Sequence, residues 1–487
     1  MHNGAPTPDG KPDVRIEISD HFTIGRLLRF TAPTALMMVF TSIYTIVDGW
    51  FVANVVGTTG FAGLNFIFPV IQILAALGMM LGTGGAALVA KTLGEGNPDR
   101  ANKLFSMVVW ATIATGVAAG VLGRLILRPV TMALGANGAL LETAVEYGSL
   151  ILIGLVPMML QAVFQAFFTT AGRPQVGLFF IVGAGVTNMI LDWLFMVPFG
   201  LGLAGAAWAT VLAAVLGGVG PILWFARPKA PLRLGRGIVD WRALGKICAN
   251  GSSEMMSNLA MSVVGMLYNV QLLRFAGEEG VAAYGVIMYA GFVFAAILFG
   301  YSFGVTPLIG YNHGAQRHGE LHNLVKLSLW IVAVADVVMT VLILLTARPV
   351  AALFADGNDA LFALTTQAAS IYAWAFVLIG VNVFGSAMFT GLNNGPVSAL
   401  ISFLRTLVFE CLCVLLLPRW FGVEGIWASD VVAEVLAAGV TISLMVALRH
   451  RYGYWGHREV DASEAARDER SDLSITKETE VPPVRGM

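Results

Sequence analysis

The chain has 487 residues, of which 57% are hydrophobic and only 12% charged, with a net charge of −1. A soluble domain carries about 25% charged residues, and the mean hydropathy here is +0.76, so a water-soluble fold is excluded. Near-zero net charge also leaves no global basic field for nucleic acid, and the lipid bilayer becomes the first expected partner.

Residues 1–30 are polar, with no apolar stretch of the kind that marks a cleavable signal, and are read as a cytoplasmic N-terminal segment. Apolar runs of membrane-crossing length then follow. They predict twelve helices at roughly 31–53, 62–90, 104–127, 143–169, 175–197, 202–226, 247–273, 281–310, 323–347, 363–391, 396–418 and 424–448. The first six spans form one lobe, 31–226, and the last six a second, 247–448. Between them, 227–246 is rich in Pro, Gly and basic residues and reads as a cytoplasmic loop. Residues 449–487 are charged and poor in apolar residues, and are expected to be a disordered cytoplasmic tail. The fold class is thus all-α and polytopic.

Lys and Arg set the orientation. The N-terminus, the even-to-odd loops and the tail hold 23 of the 29 basic residues; the other side holds 5, and Arg405 lies within span 11. Both termini are therefore expected to be cytoplasmic. A shift of 220 residues superimposes the halves. Phe61-Ala62 falls on Val281-Ala282, Ala75-Ala76 on Ala295-Ala296, Gly84 on Gly304, Gly94 on Gly314, Gly202 on Gly422 and Gly205 on Gly425. Six spans repeated in one orientation make a parallel repeat about an axis along the membrane normal, an arrangement that transporters use for alternating access.

Few polar groups interrupt the spans. A carboxylate at the bilayer centre costs about 2.5–3.5 kcal/mol on insertion scales, so each one asks for a reason. Asp48 in span 1 and Asp192 in span 5 each lie near the outer end of their span, and Thr210 lies at similar depth in span 6. Asn188 shares a helix face with Asp192 at i, i+4. Such a group can share a proton or ligate a small cation; the alternative is two acids merely solvated at the outer face. In the second half, Glu254 is the best functional candidate. Arg405 with Glu410 or Glu434 reads as an internal ion pair, and Asp430, near an outer end, as solvated. Pro33 either opens span 1, where a proline is harmless, or lies within it and favours a bend. Gly82, Gly84 and Gly85 read as close packing, and Met37-Met38 and Met255-Met256 as core. His313, His318 and His322 read as a solvated loop, not a metal site. Cys248, Cys411 and Cys413 read as small packing residues. Phosphate-binding and hydrolase motifs are missing from the sequence, which argues against an enzyme and against a cofactor.

Several segments resemble the multidrug and toxic compound extrusion (MATE) family, in its prokaryotic DinF/MepA-like branch. They are Tyr44-Thr-Ile-Val-Asp48-Gly-Trp-Phe-Val52; Asn188-Met-Ile-Leu-Asp192 followed by Gly200 to Thr210; Pro307 to Ala315; and Gly172-Arg-Pro174 with Asn394-Gly-Pro396. The resemblance spans residues 20–450. It implies a V-shaped pair of six-helix lobes around a central cavity, in the plasma (inner) membrane of a bacterium. It also implies export of cationic or amphipathic small molecules by antiport with H+ or Na+, with no other cofactor. Asp48, Asn188, Asp192 and Thr210 match the family's first-lobe cation or proton site. Pro33 matches the proline where helix 1 bends in some members. Gln161 and Gln165 stand where some relatives use a helix 4 asparagine. Glu254 resembles the helix 7 acid of a second-lobe site found in the NorM-like branch. Span 10 offers only Asn382 at the depth of that site's other acid. The chain is expected to work as a monomer. The rival readings are a lipid-linked oligosaccharide flippase of the same superfamily, whose cavity is strongly basic, and a membrane enzyme or receptor.

Overall fold

The computed structural model describes residues 16–355 and 359–455, so most of the expected tail lies outside the described residues. Among them we number twelve helices. They are α1 (Ile24–Phe51), α2 (Thr58–Gly94), α3 (Pro98–Ala133), α4 (Gly138–Ile153 and Leu155–Thr170), α5 (Pro174–Met196) and α6 (Gly202–Phe225). The second half continues with α7 (241–276), α8 (278–314), α9 (His318–Ala355), α10 (Asp359–Gly391), α11 (Gly395–Leu416) and α12 (423–452). Helices α7 and α8 run on from one another over 74 residues. At about 1.5 Å per residue that is roughly 110 Å, far more than a bilayer core of about 30 Å. The chain reverses at Gly277, whose φ of 65° and ψ of −156° are not helical. Large apolar side chains such as Phe179, Leu223 and Leu125 point outward and are more than 70% exposed, as the hydrocarbon phase requires.

The 220-residue register recurs in the backbone. Gly57 and Gly277, which separate the first two helices of each half, both have positive φ. So do Gly202 and Gly422, ahead of the last helix of each half. The 56° bend at Gly154 in α4 is matched by a 3-10 turn at Ala373–Ala375 in α10. Two six-helix lobes, α1–α6 and α7–α12, therefore share one plan.

Some helix ends extend beyond the predicted spans. Helix α1 begins at Ile24, capped by the Thr23 hydroxyl, so Pro33 lies inside it and is not an N1 proline. At the other end, α12 reaches Tyr452, and the buried Tyr454 donates its hydroxyl to the Met445 carbonyl. Order thus continues past Arg449. The inter-lobe loop lies on α3, where Arg233 N donates to Asn102 Oδ1 and Gly235 N to Ser106 Oγ.

The lobes meet through glycines. A Cβ on Gly84 would lie 2.0 Å from the Ile247 carbonyl oxygen, and one on Gly251 would lie 1.8 Å from that of Met80. Nearer the helix ends, Gly94 and Gly314 oppose the carbonyls of Tyr311 and Lys91 at 2.0 and 2.1 Å. Backbone thus packs directly on backbone from α2 to α7 and α8. The interface is reciprocal, as a pseudo-two-fold demands: Gly94 and Gly314 are partners in the repeat and face each other's helices.

Candidate functional site

Helix α5 packs on α1 through Gly185. A Cβ there would lie 2.5 Å from the Phe40 ring and 2.8 Å from that of Tyr44. Asn188 and Asp192 follow Gly185 on the same face, and Asp48 follows Tyr44 by one turn. The close seat therefore carries Asp192 to Asp48, and the two carboxyl groups come within hydrogen-bonding reach of each other. Asp192 is fully buried and Asn188 is 2% exposed. Neither oxygen of Asp192 receives a protein N–H or O–H, nor does Asp48 Oδ1. The amide nitrogen and oxygen of Asn188 are also without partners. Buried polar groups are paired in the great majority of cases, and here the protein supplies these atoms with no partner. A hydrogen bond between the two carboxyls exists only when one of them carries a proton.

The surroundings are phenolic and neutral. Tyr44 reaches the Gln161 side chain from α1, and Tyr147 of α4 feels both carboxyls. Neither tyrosine stands out in the sequence as a site residue, although Tyr44 opens the segment that resembles the family. Thr210, half-buried on α6, donates its hydroxyl to the Ala206 carbonyl at 3.1 Å, leaving its oxygen as an acceptor. Just past Asp48 the helix widens into a π-turn over Val52–Val56, a feature frequent at functional sites.

Gln161 and Gln165 separate. Gln161 belongs with Tyr44, whereas Gln165 lines a cavity between the lobes. That cavity is walled by Thr34, Met38 and Met79 from the first lobe and by Glu254, Phe303 and Thr306 from the second. Its lining contains one charged residue, Glu254. Met38 thus faces the cavity, while Met37 is fully buried in the core.

Asn382 lies elsewhere, in a network with Glu434 and Arg405. Its amide nitrogen donates to Glu434 Oε2 at 2.6 Å and to the Glu434 carbonyl at 3.0 Å. Glu434 Oε1 in turn accepts from Arg405 Nε at 2.7 Å, which is one of the two internal pairs that the sequence allows. Glu254 feels the Arg405 charge but faces the cavity. Asp430 is not a solvated outer residue: it is half-buried and meets the Glu410 carboxyl.

The MatE family profile matches residues 33–194 and 255–415, more than half of the chain and one block in each lobe. The chain is 21% identical over 427 residues to the Multidrug export protein MepA of Staphylococcus saprophyticus, an alignment covering 87% of this chain and 94% of that protein. Among solved structures it is similar to a MATE in complex with MaL6, with a TM-score of 0.84, 22% identity, and coverage of 89% of this chain and 98% of that one. It is likewise similar to a multidrug resistance MATE family transporter of the MOP superfamily in an outward-facing conformation, with a TM-score of 0.82, 22% identity, and coverage of 87% and 96%. With the profile matched in both lobes and the twelve-helix fold shared, the chain belongs to the MatE family of MATE transporters.

Proposed function

We propose that the protein is a secondary antiporter that exports cationic or amphipathic compounds in exchange for H+ or Na+. The carrying observation is the Asp48–Asp192 contact, a carboxyl pair with Asp192 fully buried and Asp48 half-buried, in which both Asp192 oxygens and Asp48 Oδ1 have no protein donor. Two carboxylates out of water cannot both stay ionised unless a cation lies between them; otherwise one of them takes up a proton. Loading and unloading this pair changes the charge buried in the first lobe. Asn188 and Thr210 add an amide and a hydroxyl oxygen, which suit either ion. Coupling requires that ion and substrate prefer different arrangements of the lobes.

The cavity between the lobes is the substrate path. Methionines and Phe303 give it an adaptable apolar wall, and Glu254 supplies a negative charge for a cation. Multidrug export is the role for which the MepA relatives are named. A cavity whose charged lining residue is an acid favours this reading over the oligosaccharide flippase, which would need basic groups for a lipid-linked phosphate. Lys and Arg asymmetry supports a cytoplasmic location for both termini, and on that orientation the glycine-closed end faces the cytoplasm. The protein is read as a monomer in the plasma membrane.

The test is transport in proteoliposomes with a proton or a Na+ gradient imposed separately. Wild type should respond to one of them. Asp48→Asn and Asp192→Asn should each abolish gradient-driven export while leaving substrate binding detectable. Wild-type, gradient-dependent export by both variants would sink the assignment.

A further inference from the structure

We propose that Glu410 and Asp430 form a second site, inside the second lobe, that binds and releases a proton. The coupling pair of the first lobe does not involve these residues. Helices α11 and α12 bring the two carboxyls together, and Glu410 is 8% exposed. Tyr268 of α7 donates its phenol hydroxyl to Glu410 Oε1 at 2.6 Å. Tyr284 of α8 stacks on Tyr268, with ring centroids 4.9 Å apart and planes 5° apart.

The internal repeat supports the placement. In the 220-residue register Tyr268 stands at the position of Asp48, and Asp430 at that of Thr210. Glu410 falls two residues short of the counterpart of Asp192. Immediately before it, α11 is wound as a π-helix over Leu404–Phe409, which rotates the register of the residues C-terminal to it. The second lobe thus holds a carboxyl pair at the pseudo-symmetric place, built from different residues.

Charge balance makes the pair a proton site and not a structural ion pair. The cation in reach is Arg405, and its Nε is bonded to Glu434. The other ionisable groups facing the pair are neutral phenols and thiols or further acid. They are Tyr268, Tyr284 and Tyr372 from α7, α8 and α10, Cys411 and Cys413 beside Glu410, and Glu434 on α12. One more group is left without a partner. The Trp427 indole N–H is buried in the cluster that contains Tyr268, one turn before Asp430 on the same helix face, and meets no acceptor. An indole N–H normally finds a partner when buried, and here the protein supplies none. The step is simple: the doubly ionised pair takes up one proton, which the two carboxyls then share, and its charge changes from −2 to −1.

Infrared difference spectroscopy on the reconstituted full chain, stepped between alkaline and acid pH, tests the site without reference to transport. In an Asp48→Asn/Asp192→Asn background a pH-dependent protonated-carboxyl band should remain. Adding Glu410→Gln and Asp430→Asn should remove the part of it that Tyr268→Phe shifts, leaving only the signal of the other membrane-embedded acids, Glu254 and Asp336. Tyr268→Phe, which keeps both acids, should shift the band by deleting its hydrogen bond. If the quadruple variant does not fold, the Tyr268→Phe shift decides alone. An unchanged band in either variant overturns the proposal, as does a signal that follows Na+ and not pH. Loss of transport on altering Asp48 has no bearing on this outcome.

Discussion

Asn188 is a buried amide with both polar atoms unsatisfied, and such groups cost about 1–3 kcal/mol. Asn188→Leu, which keeps the branched shape and removes both polar atoms, is therefore expected to raise thermal stability by about that much while reducing ion-coupled export. Thermal unfolding in detergent and proteoliposome transport check the two halves; a less stable variant with full transport contradicts the role. Arg405 presents the opposite case. Breaking a buried ion pair costs about 3–5 kcal/mol, whereas replacing both members by apolar residues is often neutral. Arg405→Met should lower the melting temperature, and Arg405→Met/Glu434→Met should recover most of the loss. Residues of both kinds were legible because charge in an apolar run is rare. In the second lobe the sequence did not reveal which acids meet. Asp430 looked solvated because it lies near a helix end, yet the π-turn in α11 and the packing of α12 bring it to Glu410. Tyr147 gave no signal of its own, since a tyrosine in a span is cheap enough to pass unnoticed, and Gln161 entered only through the family resemblance.

At the scale of the helix, glycine decides where the lobes touch. The Cβ of Gly251→Ala would meet the Met80 carbonyl oxygen at 1.8 Å, and that of Gly84→Ala the Ile247 carbonyl at 2.0 Å. A backbone neighbour cannot step aside as a side chain can. Each substitution should therefore separate α2 from α7 and favour the arrangement open at this end. Spin labels on α2 and α8 should report longer distances, and thiol probes should reach the cavity from this side. Gly265→Ala is the control: nothing lies within 4 Å of its Cβ, and alanine improves helix propensity by about 1 kcal/mol. Unchanged distances in Gly251→Ala and Gly84→Ala would show that the interface absorbs a methyl group. The repeat that sequence revealed through Gly84/Gly304 and Gly94/Gly314 has its physical cause here. Gly304 faces Thr31 of α1 just as Gly84 faces α7. Helix ends were less legible, because the hydropathy of a span falls before its hydrogen bonding does, as at Ile24 and Tyr452.

Across the whole molecule, α1 belongs to both lobes. Its first turns and the residues just ahead of them are embedded in the second lobe: Phe22, Leu27 and Phe30 share a core with Val305, Leu308 and Leu321. The segment before it is tied there as well. His21 Nδ1 lies 2.6 Å from Glu320 Oε2, Phe22 N donates to Glu320 Oε1, and Asn323 donates to the Phe22 carbonyl. The other end of α1 carries Asp48 into the first lobe. Pro33 sits between these anchorages and cannot donate the backbone hydrogen bond that a helix expects at Arg29. Any rocking of one lobe on the other must strain α1 between its two anchors, and the missing bond makes Pro33 the weakest point. Pro33→Ala restores that bond and should leave the fold and substrate binding intact, yet slow export severalfold by stiffening the link between Asp48 and the second lobe. Phe22→Ala attacks the anchor instead. Removing a fully buried phenylalanine costs about 3–5 kcal/mol, so this variant should lose thermal stability where Pro33→Ala does not. Binding and transport measured on both variants separate the two effects. If Pro33→Ala exports at the wild-type rate, the lobes move without bending α1, and the charge state of Asp48 must reach the cavity by another route.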